Sequence, residues 1–143
     1  MKLSRPQKGF TLLEIIVVLT IIAIMAAYIA PKVTGRVGDA RLSKAKSDIR
    51  VLESSLELYK LDNFSYPDTE QGLDSLVNKP SGDLKHWRKG GYIRKLNKDP
   101  WGNEYLYQYP GVNGEYDVYS LGSDAAAGGS DEAADIGNWN LDS

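Results

Sequence analysis

The chain contains no cysteine. That excludes a disulfide framework, a thiolate nucleophile and any thiolate metal site. Histidine is almost as scarce: His86 is the only one. Beside Trp87 and Arg88 in a polar stretch, it reads as a surface residue rather than a base or a metal ligand. With no thiol, no placed histidine–carboxylate pair and no phosphate-binding loop, nothing in the chain points to an enzyme. Charge is the next scarcity. From Phe10 to Ala30, Glu14 is the only charged residue. That same run has no Ala-x-Ala triplet, so it lacks the small-x-small cleavage site that closes a secretory signal peptide.

What is present begins with a short basic leader holding Lys2, Arg5 and Lys8, followed by Gly9-Phe10-Thr11-Leu12-Leu13-Glu14 and an apolar run to Ala30. As a helix, those 21 residues extend ~31 Å, about the thickness of a bilayer's hydrocarbon core. A carboxylate at mid-membrane costs roughly 2.5–3.5 kcal/mol and less near an end, so Glu14 needs an explanation. Gly9 is the one small residue at a natural processing boundary. Cleavage after it would free an α-amino group on Phe10, ordinarily of pKa ~7.7–8.0, four residues before Glu14. Glu14 would then neutralise the amine of a staggered neighbouring copy; the plainer alternative is a Glu14 solvated at headgroup level.

Charge is unevenly divided. Residues 1–50 hold nine basic and three acidic residues, and residues 51–143 hold eight and sixteen. Lys32, Arg36 and Arg41 suit anionic headgroups, whereas the acidic remainder argues against a nucleic-acid surface. Leu42, Ala45, Ile49, Leu52, Leu56 and Tyr59 recur at spacings of three and four, the apolar stripe of an amphipathic helix. The other face carries Lys44, Lys46, Asp48, Arg50, Glu53 and Glu57. It reads as a solvated face or, in an assembly, as a partner for basic groups such as Arg94 and Lys95. One long helix over residues 10–62 is predicted, weakest across 31–38, where Pro31, Gly35 and Gly38 lower helix propensity. Asp62 to Pro67 should end it. Asp68 with Gln71 has the spacing to cap a second helix through Val77. Residues 104–109 and 115–121 read as paired strands around a Pro110–Gly114 turn, their tyrosines on a half-buried sheet face. Trp87 and Trp101 are assigned to packing.

Residues 122–135 hold Asp124, Asp131, Glu132 and Asp135 and no basic residue. A flexible glycine-rich loop of this kind can turn carboxylates and carbonyls toward a hard cation such as Ca²⁺. It is no EF-hand, because that spacing is absent; a solvated acidic loop is the alternative.

The leader, Gly9, Phe10 and Glu14 at this spacing resemble the processing signal of type IV pilins and type II secretion pseudopilins. The stretches Tyr59-Lys60-Leu61-Asp62-Asn63, Tyr66-Pro67, Thr69-Glu70-Gln71-Gly72-Leu73, Gly90-Gly91-Tyr92-Ile93, Asp99-Pro100-Trp101-Gly102 and Asp135-Ile136-Gly137-Asn138-Trp139 resemble the major-pseudopilin family, protein G. The resemblance implies an α+β pilin-like fold, a long N-terminal helix on a small antiparallel sheet. It divides the chain into a leader (1–9), a membrane and assembly helix (10–30), its amphipathic continuation (31–62) and a periplasmic head (63–143). It implies cleavage by a prepilin peptidase between Gly9 and Phe10, N-methylation of Phe10, and an assembly role for Glu14. It also implies anchoring in the inner membrane and polymerisation into a pseudopilus, with minor pseudopilins and an inner-membrane assembly platform as partners. A structural Ca²⁺ would be held by Asp124 and either Asp131 or Asp135 through side chains, and by Leu121, Ala126 and Ser130 through carbonyls. For a small exported domain without disulfides, such a metal would serve as a staple. A type IV pilin of a surface pilus, or an anchored enzyme or binding protein, are the competing readings.

Overall fold

The computed structural model describes residues 10–82 and 84–142, and of residues 28–35 only the backbone. Its dominant element is helix α1, Leu12–Asn63. The backbone stays helical through 31–38, so the weak propensity there does not break the element. Two compact units divide after Val37.

In the first unit the large apolar side chains that the structure describes are exposed. Phe10 is 82% exposed, and large apolar side chains from Leu12 to Met25 lie in the open as well. Among the described residues no helix is long and apolar enough to cross a membrane. Side chains of the apolar run are described as far as Ala27.

The second unit is organised by the spacing of three and four. Ala45, Ile49 and Leu56 are fully buried, Leu52 and Tyr59 nearly so, and Leu42 is partly covered. Residues that close over this stripe include Tyr66, Leu73, Leu76, Tyr105, Tyr116, Val118, Ile136 and Leu141. Strand β1 (Leu106–Gln108) pairs antiparallel with β2 (Asp117–Ser120), Leu106 opposite Tyr119 and Gln108 opposite Asp117. A third strand, β3 (Ile136–Gly137), pairs antiparallel with the far edge of β2. The paired strands are shorter than 104–109 and 115–121, because the connection is a wide loop. The buried carboxylate of Asp117 organises it by accepting hydrogen bonds from the Val112 and Asn113 N–H groups at 2.8 and 3.1 Å.

The predicted second helix is corrected. Asp68 and Gln71 do form the reciprocal cap: Gln71 N–H donates to Asp68 Oδ1 at 2.7 Å, and Asp68 N–H donates to Gln71 Oε1 at 3.2 Å. Beyond the cap the chain makes only a 3-10 turn, Leu73–Leu76. Gly72 has φ +55, a left-handed conformation that stops an α-helix from starting at the cap. The end of α1 is as expected: Phe64 takes φ 65, and its N–H donates to the Lys60 carbonyl at 2.7 Å.

The polar face of α1 is not simply solvated. Lys44 pairs with Asp48 at 2.7 Å, Arg50 with Asp142 at 2.7 Å and Lys60 with Glu115 at 2.8 Å. The Tyr105 hydroxyl donates to Asp48 at 3.0 Å and the Tyr66 hydroxyl to Glu57 at 2.6 Å. Several tyrosines turn into the core. Tyr66, Tyr105 and Tyr116 are buried, with Tyr66 and Tyr116 ring centroids 4.6 Å apart.

Candidate functional site

Two places carry the predicted site residues, one in each unit. In the first unit, Gly9 lies outside the described residues. Phe10 is exposed, and Glu14 sits in the first turn of α1. Glu14 N–H donates to Thr11 Oγ1 at 3.2 Å, and Thr11 N–H donates to Glu14 Oε2 at 3.2 Å. This is a reciprocal capping box: the hydroxyl and the carboxylate each satisfy an amide that helix geometry leaves without a partner. A carboxylate in the first turn also faces the positive end of the helix dipole. Thr11 is the residue that reasoning from charge alone overlooks, although the Thr-x-x-Glu spacing signals it.

In the second unit the 122–135 segment is ordered by backbone turns and its own acids. Gly122–Asp124 forms a 3-10 turn ending at Ala125 with φ 54, and Asp131–Ala133 forms another, entered with Asp131 at φ 54. Gly122 has φ +68, and a Cβ there would lie 2.7 Å from the Glu132 carbonyl oxygen, so only glycine lets the two turns meet. Asp124 Oδ1 accepts from Ala126 N–H at 3.1 Å, and Asp135 Oδ2 accepts from Gly128 N–H at 2.9 Å. The Asp135 N–H donates back to the Gly128 carbonyl at 3.2 Å.

Asp131 and Asp135, between which the sequence leaves the choice open, line one cavity of about 370 Å³. Asp39 from α1 lines it too, together with Lys46 and Asn140. Asp124 does not belong to that lining. Among the described residues no group of three His, Cys, Asp or Glu side chains stands close enough to hold a metal. One observation does fit a cation: Asp135 Oδ1 is buried and has no hydrogen-bond partner among the described residues. Such an oxygen carries an uncompensated desolvation cost that a hard cation would remove. The donor chemistry is all oxygen, as Ca²⁺ prefers, and that ion draws on carbonyls as well as carboxylates. The carbonyl of Ser130 accepts from Ala133 N–H at 3.0 Å and retains a second lone pair.

The fourth acid of the loop behaves differently. Glu132 Oε2 accepts from Trp101 Nε1–H at 3.0 Å and from Arg41 Nη1 at 3.1 Å. The Trp101 indole N–H, and then Arg41, hold this carboxyl below the usual range. Trp101 is therefore more than packing. His86 is exposed, with the Phe64 ring edge-on at 5.9 Å.

Comparison with known proteins covers both units. Residues 32–139 match the family model described as type II secretion system (T2SS), protein G. Residues 4–30 match the prokaryotic N-terminal methylation motif. The chain is 53% identical over 137 residues to the type II secretion system core protein G of Pseudomonas aeruginosa, covering 94% of this chain and 96% of that protein. It is 50% identical over 142 residues to the Vibrio cholerae core protein G, covering 99% and 97%. The fold is similar to the crystal structure of the major pseudopilin from the type 2 secretion system of enterohaemorrhagic Escherichia coli. There the TM-score is 0.65 and the identity 44%, with 74% of this chain and 92% of that chain covered.

Proposed function

The chain belongs to the type II secretion system protein G family, and from that membership we propose that it is the major structural subunit of a pseudopilus. Copies polymerise in the periplasm, and the fibre supports export of folded proteins across the outer membrane. The observation that carries this reading is the joint match: a methylation motif over 4–30 continuous with a protein G match over 32–139. The surface-pilus alternative gains no support from relatives that carry the secretion name over nearly their whole length.

Residues 10–30 anchor the subunit in the inner membrane before assembly, with the head in the periplasm. A prepilin peptidase cuts between Gly9 and Phe10, and the new amine of Phe10 is methylated. Glu14 then serves twice. In the monomer it closes the cap with Thr11, and in the fibre it neutralises the amine of a neighbouring copy. The chain performs no chemistry of its own. Minor pseudopilins and an inner-membrane assembly platform are its partners.

The acidic loop holds a structural Ca²⁺. Asp135, with its partnerless oxygen, and Asp124 are its side-chain ligands, Asp131 shares the cavity with Asp135, and the carbonyls of Leu121, Ala126 and Ser130 complete the set. Bound calcium contributes charge neutralisation, which lets the loop stay packed against the sheet.

The intact mass of the chain extracted from native membranes tests the processing and assembly reading. Loss of residues 1–9 with one added methyl group is the expected result. An uncleaved chain, or one cut after the apolar run, overturns it.

A further inference from the structure

Glycine 38 poses a question that helix propensity does not answer. A glycine inside a helix costs up to ~1 kcal/mol relative to alanine, yet α1 carries one at its first turn within the second unit. The space beside it is occupied. A Cβ on Gly38 would stand 2.7 Å from Glu132 Oε1, 3.1 Å from its Cδ and 3.2 Å from its Cγ. The glycine is thus the seat of one carboxylate side chain. Glu132 lies against the helix backbone there, with Arg41 one turn along α1 at 3.1 Å and the Trp101 indole N–H at 3.0 Å. Arg41, Trp101 and Glu132 are far apart in sequence, so their meeting ties three segments: the helix, the Asp99 turn and the acidic loop. The Asp99 turn is itself rigid. Asp99 is buried, accepts from the backbone N–H groups of Trp101 and Asn103 at 3.0 and 2.8 Å, and takes the Ser120 hydroxyl at 2.6 Å.

The loop's other carboxylates differ. Asp124 accepts from the Ala126 amide and Asp135 from the Gly128 amide, both within the loop, and among the described residues Asp135 keeps one oxygen without a hydrogen-bond partner. Glu132 thus meets a cationic side chain, Arg41, and an indole N–H, Trp101, from outside its own loop.

We infer that Glu132 is a positioning residue, a latch that fixes the 122–135 loop to α1 through Arg41, Trp101 and the gap at Gly38, and so presents the loop's aspartates to a divalent cation. The cation half of this inference rests on the calcium reading above; the latch half does not. The latch works without metal and sets the affinity of the loop for it. Partners that orient ligands from outside the coordination shell typically change metal affinity by about 10- to 100-fold when removed.

The test uses the full chain in detergent and three variants: Glu132→Ala, Glu132→Gln and Gly38→Ala. Hydrogen exchange in excess chelator reads the latch at the amides of Gly128, Ala133, Ala134 and Asp135, all hydrogen-bonded within the loop. Glu132→Ala should speed their exchange roughly tenfold, the scale of one lost charge-assisted hydrogen bond. Gly38→Ala should act in the same direction although it raises intrinsic helix propensity, and Glu132→Gln, which keeps an acceptor for Trp101, should act least. Unchanged exchange in Glu132→Ala overturns the latch. Calorimetric titration with Ca²⁺, well below the thermal midpoint, reads the positioning role. Glu132→Ala should bind about 10- to 100-fold more weakly, with partial rescue by Glu132→Gln. Wild-type affinity in Glu132→Ala, with exchange accelerated, overturns positioning. A wild-type chain that takes up no Ca²⁺ defeats the calcium reading and positioning together, and the exchange comparison still decides the latch.

Discussion

Helix α1 contains two stretches of similar apolar character with opposite fates. Between residues 12 and 25 its large side chains lie in the open, Ile16 at 50% exposure and Leu19 at 60%. Between residues 45 and 59 the stripe of Ala45, Ile49, Leu52, Leu56 and Tyr59 is covered, with Ile49 and Leu56 at 0%, while Val51 and Leu58, off the stripe, stay exposed. Backbone geometry is helical in both. The difference lies in pattern. The later stretch gathers most of its apolar residues on one stripe and places charges opposite, so a small head can bury the stripe and answer the charges. The earlier stretch is apolar all round, and no single face could be covered by a domain of this size. A helix of that kind finds its cover in lipid or in other helices.

Alkali should have the largest effect and should separate the two stretches. Burial pushes the hydroxyls of Tyr66, Tyr105, Tyr107 and Tyr116 well above the ordinary tyrosine range. The folded head therefore holds these protons more tightly than the unfolded chain does. Its stability is intact below pH ~10, the ordinary tyrosine value, and falls as pH rises above it. Tyrosinate absorbance and near-UV circular dichroism tracked together should show ionisation and loss of the head as one event, while helicity of the early stretch persists in detergent. Gradual ionisation with the head still folded would contradict the burial argument.

The second effect in size is a pair of substitutions. Leu56→Ala should cost ~2–5 kcal/mol of head stability through the cavity it leaves. Ile16→Ala should leave the stability of the head within about 0.5 kcal/mol of wild type. Equal effects in denaturant titrations would erase the contrast between the stretches. Third is chelation. If calcium is held as proposed, free Ca²⁺ at roughly 100 times its dissociation constant contributes ~2.7 kcal/mol, so excess chelator should lower the thermal midpoint. An unchanged melting curve rules the ion out as a staple.

Smallest in stability, though large in assembly, is Glu14. Loss of the first-turn carboxylate in Glu14→Ala costs about 0.3–1 kcal/mol at the helix end alone and should leave the head's midpoint untouched, while fibre yield falls. Glu14→Gln sharpens this result, because glutamine still closes a capping box but carries no charge. Fibres from Glu14→Gln would assign the role to the cap; their absence would assign it to the charge.

Most of α1 was legible because periodicity is a local signal: Leu42 to Tyr59 declare their face within five turns. The first two strands were legible for the same reason, through alternating aromatics around a turn. Ile136–Gly137 was not, since two residues have no period and glycine has no strand preference. The 3-10 turn after Asp68 escaped because the cap is a local signal whereas the left-handed Gly72 depends on the fold. At the acidic loop composition identified the region but could not rank its acids. Glu132 looks like its neighbours in sequence. Only the fold brings it to Arg41, 91 residues away, and to Trp101.

The way α1 is fastened to the head has a mechanical meaning. Its ties to head residues leave from Arg41, Asp48, Arg50, Glu57, Lys60, Asp62 and Asn63, spread over ~33 Å of helix at ~1.5 Å per residue. A pull along the helix axis therefore loads all of them together, in shear, and each bears a fraction. A pull that peels the helix sideways would load them one at a time, beginning at whichever end is lifted. A subunit dragged by its helix resists as a riveted strip, and the same bonds would open in turn under a force of the other direction.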